Sequence, residues 1–169
     1  MSDIALAPTM GSLFDGIGGF PLAAICNGVE PVWASEIEAF PIEVTKKHFP
    51  NMLHVGDITK LDGAELPPVD IICGGSPCQD LSVAGTRAGL AGERSGLFME
   101  QIRIIKEMRH ADKLRGRTAQ FVRPRFGVWE NVPGAFGLDT STRANMMSAV
   151  YTAQAAVNTT RTIVQAVAK

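Results

Sequence analysis

The 169-residue sequence predicts an α/β fold built on a mostly parallel sheet. Two observations carry that prediction. Short apolar runs alternate with helical patterns through the first 130 residues, and the residue types suited to ligand chemistry fall just past those runs. Strands joined by crossover helices lie parallel, and such sheets bind ligands outside the carboxyl ends of their strands.

The candidate strands are Met10–Phe14, Pro31–Ser35, Met52–Val55, Val69–Cys73 and Phe126–Glu130. Between the first two, FPLAAICNG places Pro21 near a helix start and Gly28 at its stop, the usual asymmetry of helix ends. The next helix, in EAFPIEVTKKHFP, accepts Pro41 only in its first turn and must end before Pro50. After Ser95, residues Phe98, Ile102, Ile105 and Met108 recur at helical spacing and give one apolar stripe. The stretch SVAGTRAGLAGERSG spaces four glycines through a polar segment and reads as a mobile loop. Residues 138–169 are rich in Ala, Thr, Asn and Gln and read as a partly helical tail separate from a domain over 1–137.

Composition narrows the class. The apolar fraction of 46% and charged fraction of 20% are those of a soluble globular protein with one core. No apolar run approaches the roughly 18–20 residues that span a membrane, and MSDIALAPTM lacks the pattern of a secretory signal. Cys26, Cys73 and Cys78 are too few for a disulfide framework, so a reducing cytoplasmic setting is expected. Residues 103–125 gather Arg103, Lys106, Arg109, Lys113, Arg115, Arg117, Arg123 and Arg125 against Glu107 and Asp112. Such a block suits phosphates; a solvated helix face followed by a basic loop is the plainer reading, and the one preferred.

The stretch SLFDGIGGF sets Gly16, Gly18 and Gly19 between a strand and a helix, where glycine permits a tight turn and close approach of backbone to ligand. Glu36 ends the second strand about twenty residues later, the place from which an acidic side chain reaches ribose hydroxyls. Asp57, in VGDIT, ends the third. Carboxylates at successive strand ends behind a glycine turn favour a cofactor with an adenosine portion.

Cys78 lies past the fourth strand among glycines and a proline, whereas Cys73 lies within it and reads as a buried structural cysteine. Zinc would want paired short spacings and four ligands, which CxxxxC with scattered His48, His54 and His110 does not supply, so no metal is expected. A Cys–His hydrolase stays open at this point, since a partner histidine need not be near in sequence. In GVWENVPG, Glu130 and Asn131 end the fifth strand and share the carboxyl edge with Cys78. A thiol beside a carboxyl suggests a nucleophile and an acid, although a lone Glu at a strand end more often serves a structural hydrogen bond.

Together these residues resemble the cytosine-5 DNA methyltransferase family. FDGIGGF, ASEIEA, GDIT, GGSPCQDLS, RSGLF and WENV stand in that family's order over residues 10–137, and Pro77-Cys78-Gln79 with Glu130-Asn131-Val132 is the specific part. The resemblance implies a Rossmann-like S-adenosylmethionine-dependent methyltransferase fold. It places Phe14, Gly16, Gly18 and Gly19 in the cofactor turn, Glu36 on the ribose, Asp57 and Ile58 about the adenine, and Pro77 and Leu97 at the edge of the same site. It makes Cys78 the nucleophile that attacks C6 of a cytosine flipped out of double-stranded DNA, so that C5 accepts the methyl group. Glu130, protonated through burial, would relieve charge at N3, with Asn131 holding the adjacent backbone. Gln79, Ser82, Arg87 and Arg94 would face the DNA from a loop that closes over it.

The family's arginine-containing motif, target-recognition region and final segment are not recognisable in residues 138–169. The reading that follows is a truncated enzyme, with a second chain supplying the recognition region as one alternative and a non-catalytic remnant that keeps a cofactor pocket as another. An unrelated cysteine-nucleophile α/β enzyme is the weakest of the readings.

Overall fold

In the computed structural model, residues 7–77 and 96–130 are described. They form five strands, β1 (Thr9–Leu13), β2 (Glu30–Ser35), β3 (Leu53–His54), β4 (Ile71–Gly74) and β5 (Phe126–Trp129), in one sheet of order β3-β2-β1-β4-β5. Every pairing is parallel. Three α-helices connect them: α1 (Gly19–Cys26), α2 (Ala39–His48) and α3 (Gly96–Leu114). All five expected strands are present, within about two residues of their expected ends. β3 is shorter than expected because only Leu53 and His54 find ladder partners, Trp33 and Ala34. β4 begins later because Asp70 turns to other work: its carboxylate accepts from the Thr9 amide and hydroxyl, and its carbonyl from the Arg125 and Phe126 amides.

The helices end where proline and glycine chemistry requires. Pro21 and Pro41 each occupy the third helical position, where the missing N–H has no intrahelical acceptor to lose. Gly28 takes φ of +70° just past α1, and its amide donates to the Ile25 carbonyl. Lys46, Lys47 and His48 sit in the last turn of α2, where cations oppose the helix dipole.

Side-chain alternation divides the core. On one face Leu13, Trp33, Ile72, Ile104 and Met108 form the main cluster with Ile58, Leu66 and Val69, which buries the inner side of α3. On the other, Met10 and Cys73 pack with Ala24 of α1, while Ala34, Phe49 and Met52 pack at the end of α2. Trp33 is fully buried and donates its ring N–H to the Pro67 carbonyl. Its neighbour across the ladder must be Gly11, since a Cβ there would lie 2.2 Å from the indole.

The stripe on α3 is wider and more polar than expected. Gln101, Ile104, Arg109 and Asp112 are buried beside Phe98, Ile102 and Met108. Arg109 donates to the carbonyls of Val122 and Pro124, and Asp112 accepts from the Arg123 amide and guanidinium and pairs with Arg117. These charge-assisted bonds fasten the chain entering β5 to the end of α3.

Candidate active site

The strand order reverses between β1 and β4, so their carboxyl ends flank the crevice where doubly wound sheets bind ligands. β1 delivers Phe14, Asp15 and Gly16 to that edge, β2 delivers Glu36, β3 leads to Asp57, β4 leads to Pro77, and β5 ends before Glu130. Of the residues anticipated from the sequence, Phe14, Gly16, Glu36, Asp57, Pro77 and Glu130 therefore follow strand exits on one edge, while Ile58 and Leu97 pack with the core. Cys78, Gln79, Ser82, Arg87, Arg94 and Asn131 lie outside the described residues.

The turn after β1 is held by unusual backbone angles. Phe14, Gly16 and Gly18 have φ of +54°, +56° and +92°. A non-glycine residue in that region carries strain, a mark of functional turns. Gly18 must be glycine for two reasons: its φ, and the 2.7 Å that would separate a Cβ from the Phe49 ring. Gly16 and Gly19 differ, because a Cβ built on either meets nothing within 4 Å. Their bare backbone faces open space that a ligand can fill.

Glu36 ties this turn to β2. Its Oε2 accepts from the Gly16 amide at 2.7 Å, and its Oε1 from the amides of Ile37 and Glu38 at 2.7 and 3.1 Å. Asp57 caps the short 3-10 turn Ile58–Lys60, accepting from the Thr59 amide and hydroxyl and pairing with Lys60 at 3.4 Å. The Thr59 hydroxyl, foremost, holds its carboxyl below the usual range. Ile58 is 3% exposed and belongs to the main core, and Leu97 packs against the same cluster. Arg103 anchors that turn from α3 by donating to the carbonyls of Ile58 and Leu61 while pairing with Glu100 and Glu107.

Glu130 follows β5 directly, its amide donating to the Gly74 carbonyl. Its Oε2 lies 2.7 Å from where a Cβ on Gly75 would stand, so glycine there lets the carboxylate approach the β4 exit. Trp129 fixes this arrangement by stacking on Phe98 at 4.3 Å and donating to the Ser76 hydroxyl. Glu130 is exposed, where burial was expected. It stands at the open rim, beside the β4 exit.

Cys73 is buried as expected, its thiol donating to the Met10 sulfur at 3.3 Å. Burial, with help from Asp15, pushes that thiol up to about 11, which makes it inert. No group of three or more His, Cys, Asp or Glu side chains among the described residues could hold a metal ion. None of the helices there is long and apolar enough to cross a membrane.

The basic block divides differently from its sequence pattern. Arg103, Arg109 and Arg123 serve internal carbonyls and carboxylates, Arg115 donates to the Ala64 carbonyl, and Arg117 pairs with Asp112. Arg109 is thus buried, where a solvated helix face was expected of this segment.

One residue at the rim escaped the sequence reading. Asp15, inside the glycine turn, reads as an ordinary turn former. It is 5% exposed; its Oδ1 accepts from the Ser12 hydroxyl, and its Oδ2 has no partner. Burial first, then Glu36 nearby, raises it to about 6 against the hydrogen bond from Ser12.

An open parallel sheet with a strained glycine turn, an acid on the neighbouring strand and chemistry at the switch point defines a Rossmann-like fold of the S-adenosylmethionine-dependent methyltransferase class. Similar proteins narrow the class. Residues 9–153 match the model of the C-5 cytosine-specific DNA methylase family, and the chain belongs to that family. It is 46% identical over 98 residues to the type II methyltransferase M1.ScrFI of Lactococcus lactis subsp. cremoris, covering 57% of this chain and 25% of that protein. It is also 37% identical over 128 residues to a protein of Escherichia phage P1 named as a DNA N-6-adenine-methyltransferase. That match takes in 73% of this chain but 16% of the phage protein, and the name belongs to the whole of the latter. The Dnmt2 methyltransferase of S. pombe superposes with a TM-score of 0.61, covering 86% of this chain and 42% of that one; at 19% identity this shows the fold alone. The chain spans 16% to 33% of the curated relatives' lengths.

Proposed function

We propose that the chain is the cofactor-binding and nucleophile-bearing part of a cytosine-5 DNA methyltransferase. One observation carries the reading. At the switch point, a glycine turn with two open positions is bonded to Glu36, beside a strand exit that leads through Pro77 to Cys78 and packs against Glu130.

The residues fit S-adenosylmethionine, which when bound supplies an electrophilic methyl group. The bare backbone at Gly16 and Gly19 leaves room for it, and Glu36, already oriented by three amides, keeps lone pairs for the ribose hydroxyls. Asp57 and the turn at Ile58 would set the adenine end, with Phe14, Gly18, Pro77 and Leu97 shaping the rest. Cys78, as the thiolate, would add to C6 of a flipped cytosine. Glu130 would donate a hydrogen bond to N3 once the base covers its exposed carboxyl, and Asn131 would hold the backbone beside it. Gln79, Ser82, Arg87 and Arg94 would contact double-stranded DNA. Choice of a DNA sequence would rest on a recognition region beyond the matched part, on this polypeptide or on a second chain.

Duplex DNA carrying 5-fluorocytosine tests this reading, because the fluorine cannot leave and the adduct persists. With S-adenosylmethionine present, the expected result is a denaturant-stable protein–DNA band that is absent in Cys78→Ala. Its absence from the native chain, or its persistence in the variant, overturns the assignment.

A further inference from the structure

We propose that Asp15 is the residue through which the cofactor site recognises positive charge, so that the site prefers S-adenosylmethionine to its demethylated product. The inference rests on the cofactor reading above and goes beyond it, since nothing in that reading uses Asp15.

The argument begins with an uncompensated carboxyl. Asp15 stands between the β1 exit and the start of α1, one residue before the open position at Gly16. Its Oδ2 is shielded from solvent and has no hydrogen-bond partner, while Oδ1 is satisfied only by Ser12. Among the described residues its neighbours supply no cation. From β2 it faces Glu36, from β4 the Cys73 thiol, and α1 carries no ionisable group except Cys26 at its far end. Ser12 beside it is neutral. Burying a carboxylate without a partner is expensive, and a fold that keeps one beside an open site leaves the counter-charge to the ligand.

The two ligands differ in this respect. S-adenosylmethionine carries a sulfonium, an ammonium and a carboxylate, a net charge of +1. S-adenosylhomocysteine has lost the sulfonium charge with the methyl group and is neutral overall. Because Oδ2 is enclosed, Asp15 acts through its field across the glycine turn rather than by a hydrogen bond to the ligand. A shielded carboxylate is screened less than a surface one, so its field favours the cation.

Calorimetric titration of the intact chain with each ligand, at pH 8 and pH 5, tests the proposal in native protein and in Asp15→Asn. If the ligand's charge displaces the Asp15 titration by about one pH unit, the preference for S-adenosylmethionine changes about tenfold. The native chain is expected to lose that preference on going to pH 5, as Asp15 protonates. Asp15→Asn is expected to lack it at both pH values while binding S-adenosylhomocysteine normally, which also shows that the variant is folded. A preference unchanged in Asp15→Asn overturns the proposal. So does one that still varies with pH there, which assigns the effect to another group, and so does loss of both ligands, which makes Asp15 structural. Binding of neither ligand by the native chain refutes the cofactor reading itself, and this inference with it.

Discussion

Replacing Asp15 by asparagine should make the protein more stable at neutral and alkaline pH. The carboxyl is raised from 3.8 to about 6, chiefly by burial, so the fold favours its neutral form. A group raised in this way adds stability below its unfolded value, and that stability is lost as pH climbs through the folded value. The interval is about two pH units, and at about 1.36 kcal/mol each it amounts to about 3 kcal/mol as a ceiling. Solvent entry and relaxation reduce this, so a gain of about 1–3 kcal/mol is expected at pH 8. Asparagine keeps an oxygen to accept from Ser12 and adds no volume. The gap between variant and native chain should therefore be near zero at pH 4, open between pH 4 and 6, and stay level above pH 7. Urea unfolding followed by tryptophan fluorescence, at pH steps across that range, reads it directly. A gap that does not vary with pH, or a variant less stable at pH 8, would refute the burial argument.

Asp112 should respond in the opposite sense: it is fully buried, and its bonds from Arg123 outweigh desolvation to hold its carboxyl low. Its contribution is present above the unfolded carboxyl range and is lost as pH falls. Asp112→Asn should cost about 3 kcal/mol by urea unfolding at pH 7, with the loss shrinking toward pH 3. Gly18→Ala combines a left-handed φ with a 2.7 Å approach to Phe49. About 1–2 kcal/mol of backbone strain and a similar overlap term should lower stability by about 3 kcal/mol, and a loss under about 0.5 kcal/mol would contradict the geometry. Arg103→Lys keeps the charge but loses the fork that spans Ile58, Leu61 and Glu107. It should lower the melting temperature while leaving the salt dependence of DNA binding unchanged; an altered salt slope would return the basic segment to the DNA interface.

The sheet was legible because its signals are local. Proline in the first turn, Gly28 past α1 and apolar runs of strand length each act within a few residues. The rim was legible for a related reason: a parallel sheet sends every strand exit to the same edge, so Gly16, Glu36, Asp57 and Glu130 had to converge. What escaped depends on contacts distant in sequence. Arg109 and Asp112 look like solvated positions until the chain at 122–125 returns to bond them, and Gln101 does until it packs against Gly74. Asp15 looks like a turn residue until the sheet buries it beside Glu36 and Cys73. Glu130 was expected to be buried because its proposed chemistry asks for it, but the rim that makes it reachable also exposes it.

The account depends most on the glycine turn and Glu36 forming an S-adenosylmethionine site, and binding of that ligand to the intact chain and to Glu36→Ala measures this most directly. The account predicts a saturable one-to-one isotherm for the native chain and a loss of at least tenfold in affinity for the variant, since Glu36 both orients the turn and meets the ribose. Absence of binding to the native chain, or equal affinity in Glu36→Ala, would contradict it.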